Sequence, residues 1–70
     1  MSQEIRNRIA LKIKELRIMK HLKKEELSLA LGFDNSYISK LEKCKINITI
    51  DRLNKIAQYF EVDIKELFDI

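Results

Sequence analysis

Proline and tryptophan are absent from the sequence, and glycine occurs once, at Gly32. Proline and glycine are the least favourable residues inside helices, so their scarcity removes the usual obstacles to helix formation. Good helix formers such as leucine, isoleucine, lysine and glutamate make up much of the 70-residue chain. We therefore predict an all-α fold, in a single domain that spans residues 1–70.

Other absences exclude classes of function. One cysteine cannot form an internal disulfide, and together with one histidine it cannot supply a metal cluster. No run of about 20 apolar residues predicts a membrane span, and no signal peptide precedes the domain, so we expect a soluble, cytoplasmic protein. The sequence also has no evident pair of catalytic carboxylates and no phosphate-binding glycine loop, so we predict neither an enzyme nor a bound cofactor or metal.

Positive charge is concentrated in the first two thirds of the chain. Residues 1–48 contain 11 Lys/Arg against 6 Asp/Glu, whereas residues 49–70 contain 3 against 5. Excess positive charge on one part of a small domain is typical of a surface that meets phosphate. A lysine-rich solvated surface is the alternative that the overall charge of +3 leaves open.

Apolar periodicity divides the chain into five helices, at about residues 3–20, 24–31, 35–43, 50–60 and 64–68. Ile9, Ile13 and Leu16 form the predicted inward stripe of the first helix, and Thr49 is placed to cap the fourth. The pattern predicts neither a strand nor a repeat.

The second and third helices carry the most informative pattern. Their apolar positions, which recur at helical spacing, are Leu27, Leu31, Ile38 and Leu41. Gly32 stands where the second helix must stop, in the left-handed conformation that other residues resist, and Asp34 is predicted to cap the third helix. Ser28 is small enough to let the two helices cross closely. Two short helices joined by a glycine-containing turn are typical of a helix-turn-helix unit.

These residues resemble the Cro-type, lambda-repressor-like helix-turn-helix family of bacterial and phage regulators. The matching positions, in order, are Leu27, Ser28, Gly32, Phe33, Ile38 and Leu41, followed by the acidic Glu42. The resemblance extends from Ile9 to Phe68. It implies a compact five-helix domain that binds a double-stranded DNA operator as a homodimer.

The third helix is the expected reading helix, because one α-helix fits the major groove, where base edges are distinguishable. With Ile38 and Leu41 inward, the residues expected to face outward are Asn35, Ser36, Ser39 and Lys40. In the resembled family the positions of Asn35, Ser36 and Lys40 contact bases, and that of Tyr37 contacts backbone or a thymine methyl. We expect base contacts from all five, with an ordinary polar helix surface as the alternative.

Lysines at both ends of the unit are expected to contact phosphate, which orients the protein without reading sequence. They are Lys23, Lys24, Lys43 and Lys45. The family usually has a serine or threonine cap and then a glutamine where this chain has Lys23 and Lys24. A lysine side chain cannot accept a hydrogen bond and so cannot cap.

Two further expectations follow from the resemblance. Arg17 and Glu42 match positions that phage repressors use for an internal ion pair, which would fix the angle of the reading helix. Cys44 falls where the family usually has glycine at the end of the third helix. A cysteine in that conformation would be tolerated at a cost of about 1 kcal/mol.

A narrower resemblance concerns residues 37–39, with the sequence YIS, and residues 47–50, with the sequence NITI. These segments are similar to the controller proteins of restriction-modification systems, small dimeric members of the same family. The family usually dimerises through its last helix, which predicts an interface at Ile64, Phe68 and Ile70. We expect a transcription regulator that blocks or recruits RNA polymerase. The alternatives are a DNA-binding antitoxin or phage-type repressor with a protein partner, and an interaction module that has lost DNA binding.

Overall fold

The computed structural model describes residues 2–68, which form five helices and contain no strand. The helices are α1 (Gln3–Met19), α2 (Lys24–Ala30), α3 (Tyr37–Glu42), α4 (Ile50–Phe60) and α5 (Ile64–Phe68). The all-α, five-helix prediction is therefore confirmed. No helix in residues 2–68 is long and apolar enough to cross a membrane.

One hydrophobic core lies between α1, the α2–α3 pair and the α4–α5 pair. From α1 it receives Ile9 and Ile13, as predicted, while Leu16 is only half-buried. α4 buries Leu53, Ile56, Ala57 and Phe60 along one face, and Ile48 closes the core from the preceding loop. The apolar residues that lie off these stripes and stay largely exposed are Leu11, Ile18, Met19, Leu29 and Ile50.

Four helices end in the same hydrogen-bond pattern, in which two backbone N–H groups beyond the helix reach back to its last turn. At the end of α2 the Phe33 N–H donates to the Ser28 carbonyl and the Gly32 N–H donates to that of Leu29. Gly32 has φ +77°, as predicted. The equivalent left-handed positions after α1, α3 and α4 are occupied by His21, Cys44 and Glu61.

The turn between α2 and α3 is longer than predicted. Helix α2 ends at Ala30 and α3 begins at Tyr37, so Asn35 and Ser36 precede the helix instead of starting it. The cause is a tight turn in which the Tyr37 N–H donates to the Asp34 carbonyl oxygen at 2.9 Å. The Asp34 carboxylate accepts the Ser36 N–H at 3.3 Å within this turn, so Asp34 does not cap α3 as predicted, and the residue before α3 is Ser36.

Candidate nucleic-acid interface

The two faces of α3 differ sharply. Ile38 and Leu41 are buried, with 0% and 4% of their surfaces exposed. On the outer side Lys40 is exposed and Ser39 is half-buried, and in the preceding turn Asn35 is exposed and Ser36 is half-buried. Four of the five predicted base-contacting residues are thus fully or partly accessible, and we call these four residues the accessible edge.

Tyr37 differs from the other four. Its side chain is only 8% exposed, and its ring packs against that of Phe33 with 4.7 Å between the centroids. Its hydroxyl is buried and has no hydrogen-bond partner within residues 2–68. A base or thymine-methyl contact requires an exposed ring, so this arrangement gives no support to the contact predicted for Tyr37, whose ring packs in the core at the first position of α3.

Ser28 joins α2 to α3 by hydrogen bonds. Its hydroxyl donates to the Lys24 carbonyl at 2.9 Å and accepts the backbone N–H of Ile38 at 3.0 Å. The serine is fully buried, and Ile38 lies in the first turn of α3, where helix N–H groups lack partners inside the helix. The sequence predicted only that this residue is small. Its acceptor role could not be read from spacing, because the partner lies ten residues away.

Arg17 and Glu42 form the ion pair that the resemblance implies. The Arg17 Nε lies 2.7 Å from Glu42 Oε2, and Nη2 lies 3.2 Å from Oε1, so the contact is bidentate. A third guanidinium bond goes from Nη1 to the Leu22 carbonyl at 2.8 Å. The pair connects α1 to the last residue of α3, and its side chains are 11% and 5% exposed.

The predicted phosphate-contacting lysines are all exposed and fall into two pairs. Lys23 and Lys24 lie at the start of α2, where the Lys23 side chain makes no capping bond. The Glu26 carboxylate instead accepts the Lys23 backbone N–H at 2.8 Å, so a bond from within the first turn stabilises the start of α2. Lys43 and Lys45 lie beyond the C-terminal end of α3, on either side of the left-handed Cys44.

A cluster that the sequence did not predict lies beside the turn. The Arg52 guanidinium carbon is 4.9 Å from the ring centroid of Phe33 and 4.8 Å from that of Tyr37. The Lys55 ammonium nitrogen lies 5.3 Å from the Phe33 ring centroid. Both cations come from α4, in the part of the chain whose net charge is negative, and so overall charge gave no sign of them.

The residues predicted for a dimer interface are only partly available. Ile64 and Phe68 are half-buried because each packs against the core of its own chain. Ile70 lies outside the described residues. Within residues 2–68 the apolar excess at α5 is therefore smaller than the sequence suggested, and the most exposed apolar side chains of these residues lie on other helices.

Comparison with known proteins agrees with this geometry. A family model described as helix-turn-helix matches residues 13–67. The chain belongs to this helix-turn-helix family. It is 29% identical over 70 residues to Control protein C.BamHI from Bacillus amyloliquefaciens, with 99% of this chain and 86% of that protein covered.

Two solved structures of this type superpose on the chain. A hypothetical transcription factor, NHTF from Neisseria, gives a TM-score of 0.89 at 29% identity and covers 94% of this chain and 76% of that one. The restriction-modification controller protein C.Esp1396I gives 0.82 at 28% identity, with coverages of 99% and 91%. The predicted resemblance to restriction-modification controllers is therefore confirmed at the level of sequence and fold.

Proposed function

We propose that this protein is a sequence-specific DNA-binding transcription regulator of the restriction-modification controller type. In this proposal it binds a palindromic operator as a homodimer, and the N-terminal end of α3 reads the major groove. The observation that carries the proposal is the accessible edge formed by Asn35, Ser36, Ser39 and Lys40, opposite the buried Ile38. Two of the relatives are named as control or controller proteins, and one as a transcription factor.

The chemistry of this edge suits base recognition. An asparagine amide can both donate to and accept from adenine, and a lysine ammonium can donate to guanine O6 and N7. Ser36 and Ser39 can donate to or accept from either type of base edge. Tyr37 is left out of the reading set, because its ring belongs to the core.

The exposed lysines supply the part of binding that does not depend on sequence. Lys23 and Lys24 lie at the start of α2, and Lys43 and Lys45 follow the C-terminal end of α3. Each lysine that neutralises a phosphate releases condensed counterions, which strengthens binding at low salt. Together the four would hold α3 in register on the duplex while its N-terminal end contacts base edges.

The decisive experiment is selection of duplexes from a random pool by the purified protein. We expect one enriched sequence with two related half-sites, because a two-fold dimer reads two copies of the same half-site. Recovery of a random set of duplexes would refute sequence-specific binding. A single half-site without symmetry would refute the dimer alone, and sedimentation of the complex would check its stoichiometry.

Two substitutions separate reading from phosphate contact. For Lys40→Ala we expect a loss of about 1–3 kcal/mol on the selected duplex and relaxed selection at one base pair of each half-site. For Lys43→Ala we expect similar weakening on every duplex and a salt slope that is shallower by about one unit per site. Titration at several salt concentrations measures both. Unchanged affinity and selectivity for Lys40→Ala would contradict direct readout by α3.

The regulatory outcome follows from where the operator lies. A dimer bound across the polymerase site blocks transcription, and one bound just upstream can recruit RNA polymerase. Transcription in vitro from a template that carries the selected sequence at each position, with increasing protein, tests whether occupancy changes transcript yield. No change at either position would leave a DNA-binding protein without regulatory action, contrary to the proposal.

A further inference from the structure

Arg52 makes an unusual pair of contacts for a surface arginine. Its guanidinium carbon lies within 5 Å of two aromatic ring centroids at once, Phe33 at 4.9 Å and Tyr37 at 4.8 Å. The rings themselves are 4.7 Å apart and inclined at 54°. A planar guanidinium can lie against aromatic rings in this way, whereas a lysine ammonium acts as a compact point charge.

The two rings stand at either end of the turn that carries half of the reading edge. Phe33 closes the hydrogen-bond motif at the end of α2, and Tyr37 is the first residue of α3. Between them lie only three residues, Asp34, Asn35 and Ser36. A side chain that holds both rings therefore constrains the distance and angle between the two ends of this short segment.

The other side-chain constraints on the segment are weak. The Asp34 carboxylate bonds to Ser36 at 3.3 and 3.4 Å, which are long for hydrogen bonds, and the Ser36 side chain does not cap α3. The Tyr37 hydroxyl has no hydrogen-bond partner within the described chain, so packing alone orients its ring. Ser28 fixes Ile38, one residue further along. The Tyr37 N–H closes the backbone turn on the Asp34 carbonyl at 2.9 Å, but no side-chain bond shorter than 3.3 Å is present on Asn35 or Ser36 within residues 2–68.

We propose that Arg52 is a positioning residue that sets the orientation of Asn35 and Ser36 and thereby contributes to sequence selectivity. The inference rests on the proposed function, because it concerns the same reading edge. Arg52 lies on α4 and acts through the Phe33 and Tyr37 rings, without touching a base. Its removal loosens the turn and lets Asn35 and Ser36 adopt orientations that fit more than one base pair.

A direct phosphate contact is the competing role for an exposed arginine. Arg52 forms no ion pair within residues 2–68, so its charge is free to meet an anion. The two roles differ in what they change. A phosphate contact contributes equally on every sequence and adds about one unit to the salt slope, whereas a positioning contact affects discrimination between sequences.

The test compares Arg52→Met, Arg52→Lys and the matched control Lys55→Met in the full-length protein. Methionine keeps the length of the side chain and removes the charge, and lysine keeps the charge and removes the planar group. Lys55 is also a cation of α4 over the Phe33 ring, at 5.3 Å, but within residues 2–68 the cation over the Tyr37 ring is Arg52. None of the substitutions removes the Thr49 cap of α4, which uses the backbone N–H of residue 52.

For each variant we would measure affinity for the selected duplex, for duplexes changed at one base pair of the half-site, and at several salt concentrations. For Arg52→Met we expect discrimination at the base pairs read by Asn35 and Ser36 to fall about fivefold, with an unchanged salt slope. Arg52→Lys should lose about half of that effect on a logarithmic scale, and Lys55→Met should stay within about twofold of the parent protein.

Backbone amide shifts of the free protein report the same role without DNA. Arg52→Met should move the amide signals of Asn35 and Ser36, and Lys55→Met should leave them nearly unchanged. Unchanged signals at both residues would overturn the proposal, even if a variant binds DNA too weakly to be titrated.

Two binding outcomes would also overturn it. Uniformly weaker binding with a salt slope shallower by about one unit would make Arg52 a phosphate contact, and unchanged discrimination would make it a surface residue. Failure of the parent protein to select any sequence is a different result. It would refute the proposed function, whereas selective binding that does not depend on Arg52 would refute only this inference.

Discussion

Helices α3 and α4 follow one another along the chain, yet they are stabilised in different ways. α4 has 11 residues, a Thr49 cap that accepts the Arg52 N–H, and one continuous buried face. α3 has six residues and no side-chain cap from its own N-cap residue. A helix this short is not stable alone. It is held by groups from three other helices. The element proposed to read DNA therefore depends on the rest of the domain for its position, which makes it sensitive to distant substitutions.

The largest expected effect concerns the ion pair at the C-terminal end of α3. Glu42→Ala leaves the Arg17 guanidinium largely buried without its carboxylate, and we expect it to lower the free energy of unfolding by about 3 kcal/mol. Denaturant titration would measure this. If the Arg17–Glu42 pair contributed no more than an exposed ion pair does, Glu42→Ala would lower the free energy of unfolding by less than about 1 kcal/mol.

A matched control is available in the exposed pair of Arg8 and Glu4, at 3.3 Å on α1. Glu4→Ala should cost at most about 1 kcal/mol, because the pair is screened by solvent and the first-turn charge adds only a small favourable effect. Replacing both buried partners, as Arg17→Met with Glu42→Leu, should recover most of the stability lost in Glu42→Ala. If the double variant regains stability but still discriminates less between DNA sequences than the parent protein does, the remaining loss would report the contribution of the ion pair to the angle of α3.

The second largest expected effect concerns the hydrogen bonds at the N-terminal ends of α3 and α4. In each, a hydroxyl accepts a backbone N–H: the Ser28 hydroxyl accepts that of Ile38, and the Thr49 hydroxyl accepts that of Arg52. Ser28→Ala should cost about 2 kcal/mol, since the Ile38 N–H is left buried without an acceptor. Thr49→Ala should cost about 1 kcal/mol, because water can replace the lost cap at an exposed position.

Hydrogen exchange distinguishes local from global consequences of these two substitutions. In Ser28→Ala the amides of α3 should lose protection beyond the global loss, whereas in Thr49→Ala the inner turns of α4 should keep theirs. Conservative replacement by Thr49→Ser should restore most of the α4 cap. Equal costs for the two alanine substitutions would contradict the distinction drawn between the helices.

The same distinction explains what the sequence could predict. The bounds of α4 and α5 were predicted correctly, since apolar spacing and a cap residue are local signals. Gly32 was placed correctly because its left-handed conformation limits the residue type. The start of α3 was predicted two residues too early, and the contacts of Ser28 and Arg52 were not predicted. Their partners, Ile38 and the two rings, are brought near only by the folded chain, which leaves no local signature.

Tyr37 is a residue for which the sequence predicted a contact that the structure does not support. The family resemblance predicted that Tyr37 contacts DNA. The spacing of Ile38 and Leu41 did not predict its burial, because two apolar positions three residues apart do not show how wide the buried face of a short helix is. The structure buries the ring against Phe33 and under Arg52. Arg17 and Glu42, by contrast, were placed correctly by resemblance, since an ion pair depends on two residue types that the sequence displays directly.

The smallest expected effect compares the C-terminal ends of the two helices, where Cys44 follows α3 and Glu61 follows α4, both in the left-handed conformation. Glycine adopts it without strain, so each residue replaced by glycine should stabilise the protein, by about 1 kcal/mol for Glu61→Gly and about 0.5 for Cys44→Gly. Glu61 gains more because an exposed carboxylate at a helix C-terminus is unfavourable. Cys44 gains less because its thiol donates to Asn7 Oδ1 at 3.2 Å and the glycine variant loses that contact.

Thermal unfolding of both glycine variants, with Glu61→Gln to separate the charge from the backbone, measures these gains. Glu61→Gln should recover only a few tenths of a kcal/mol, since it removes the charge and keeps the strained conformation. If Cys44→Gly were destabilising by more than the cost of a flexible residue, the Cys44–Asn7 contact would be a real tie between α1 and the end of α3. α3 would then be fixed at its C-terminal end by two polar side-chain contacts, the other being Arg17–Glu42, whereas within residues 2–68 the end of α4 is held by apolar packing of Phe60.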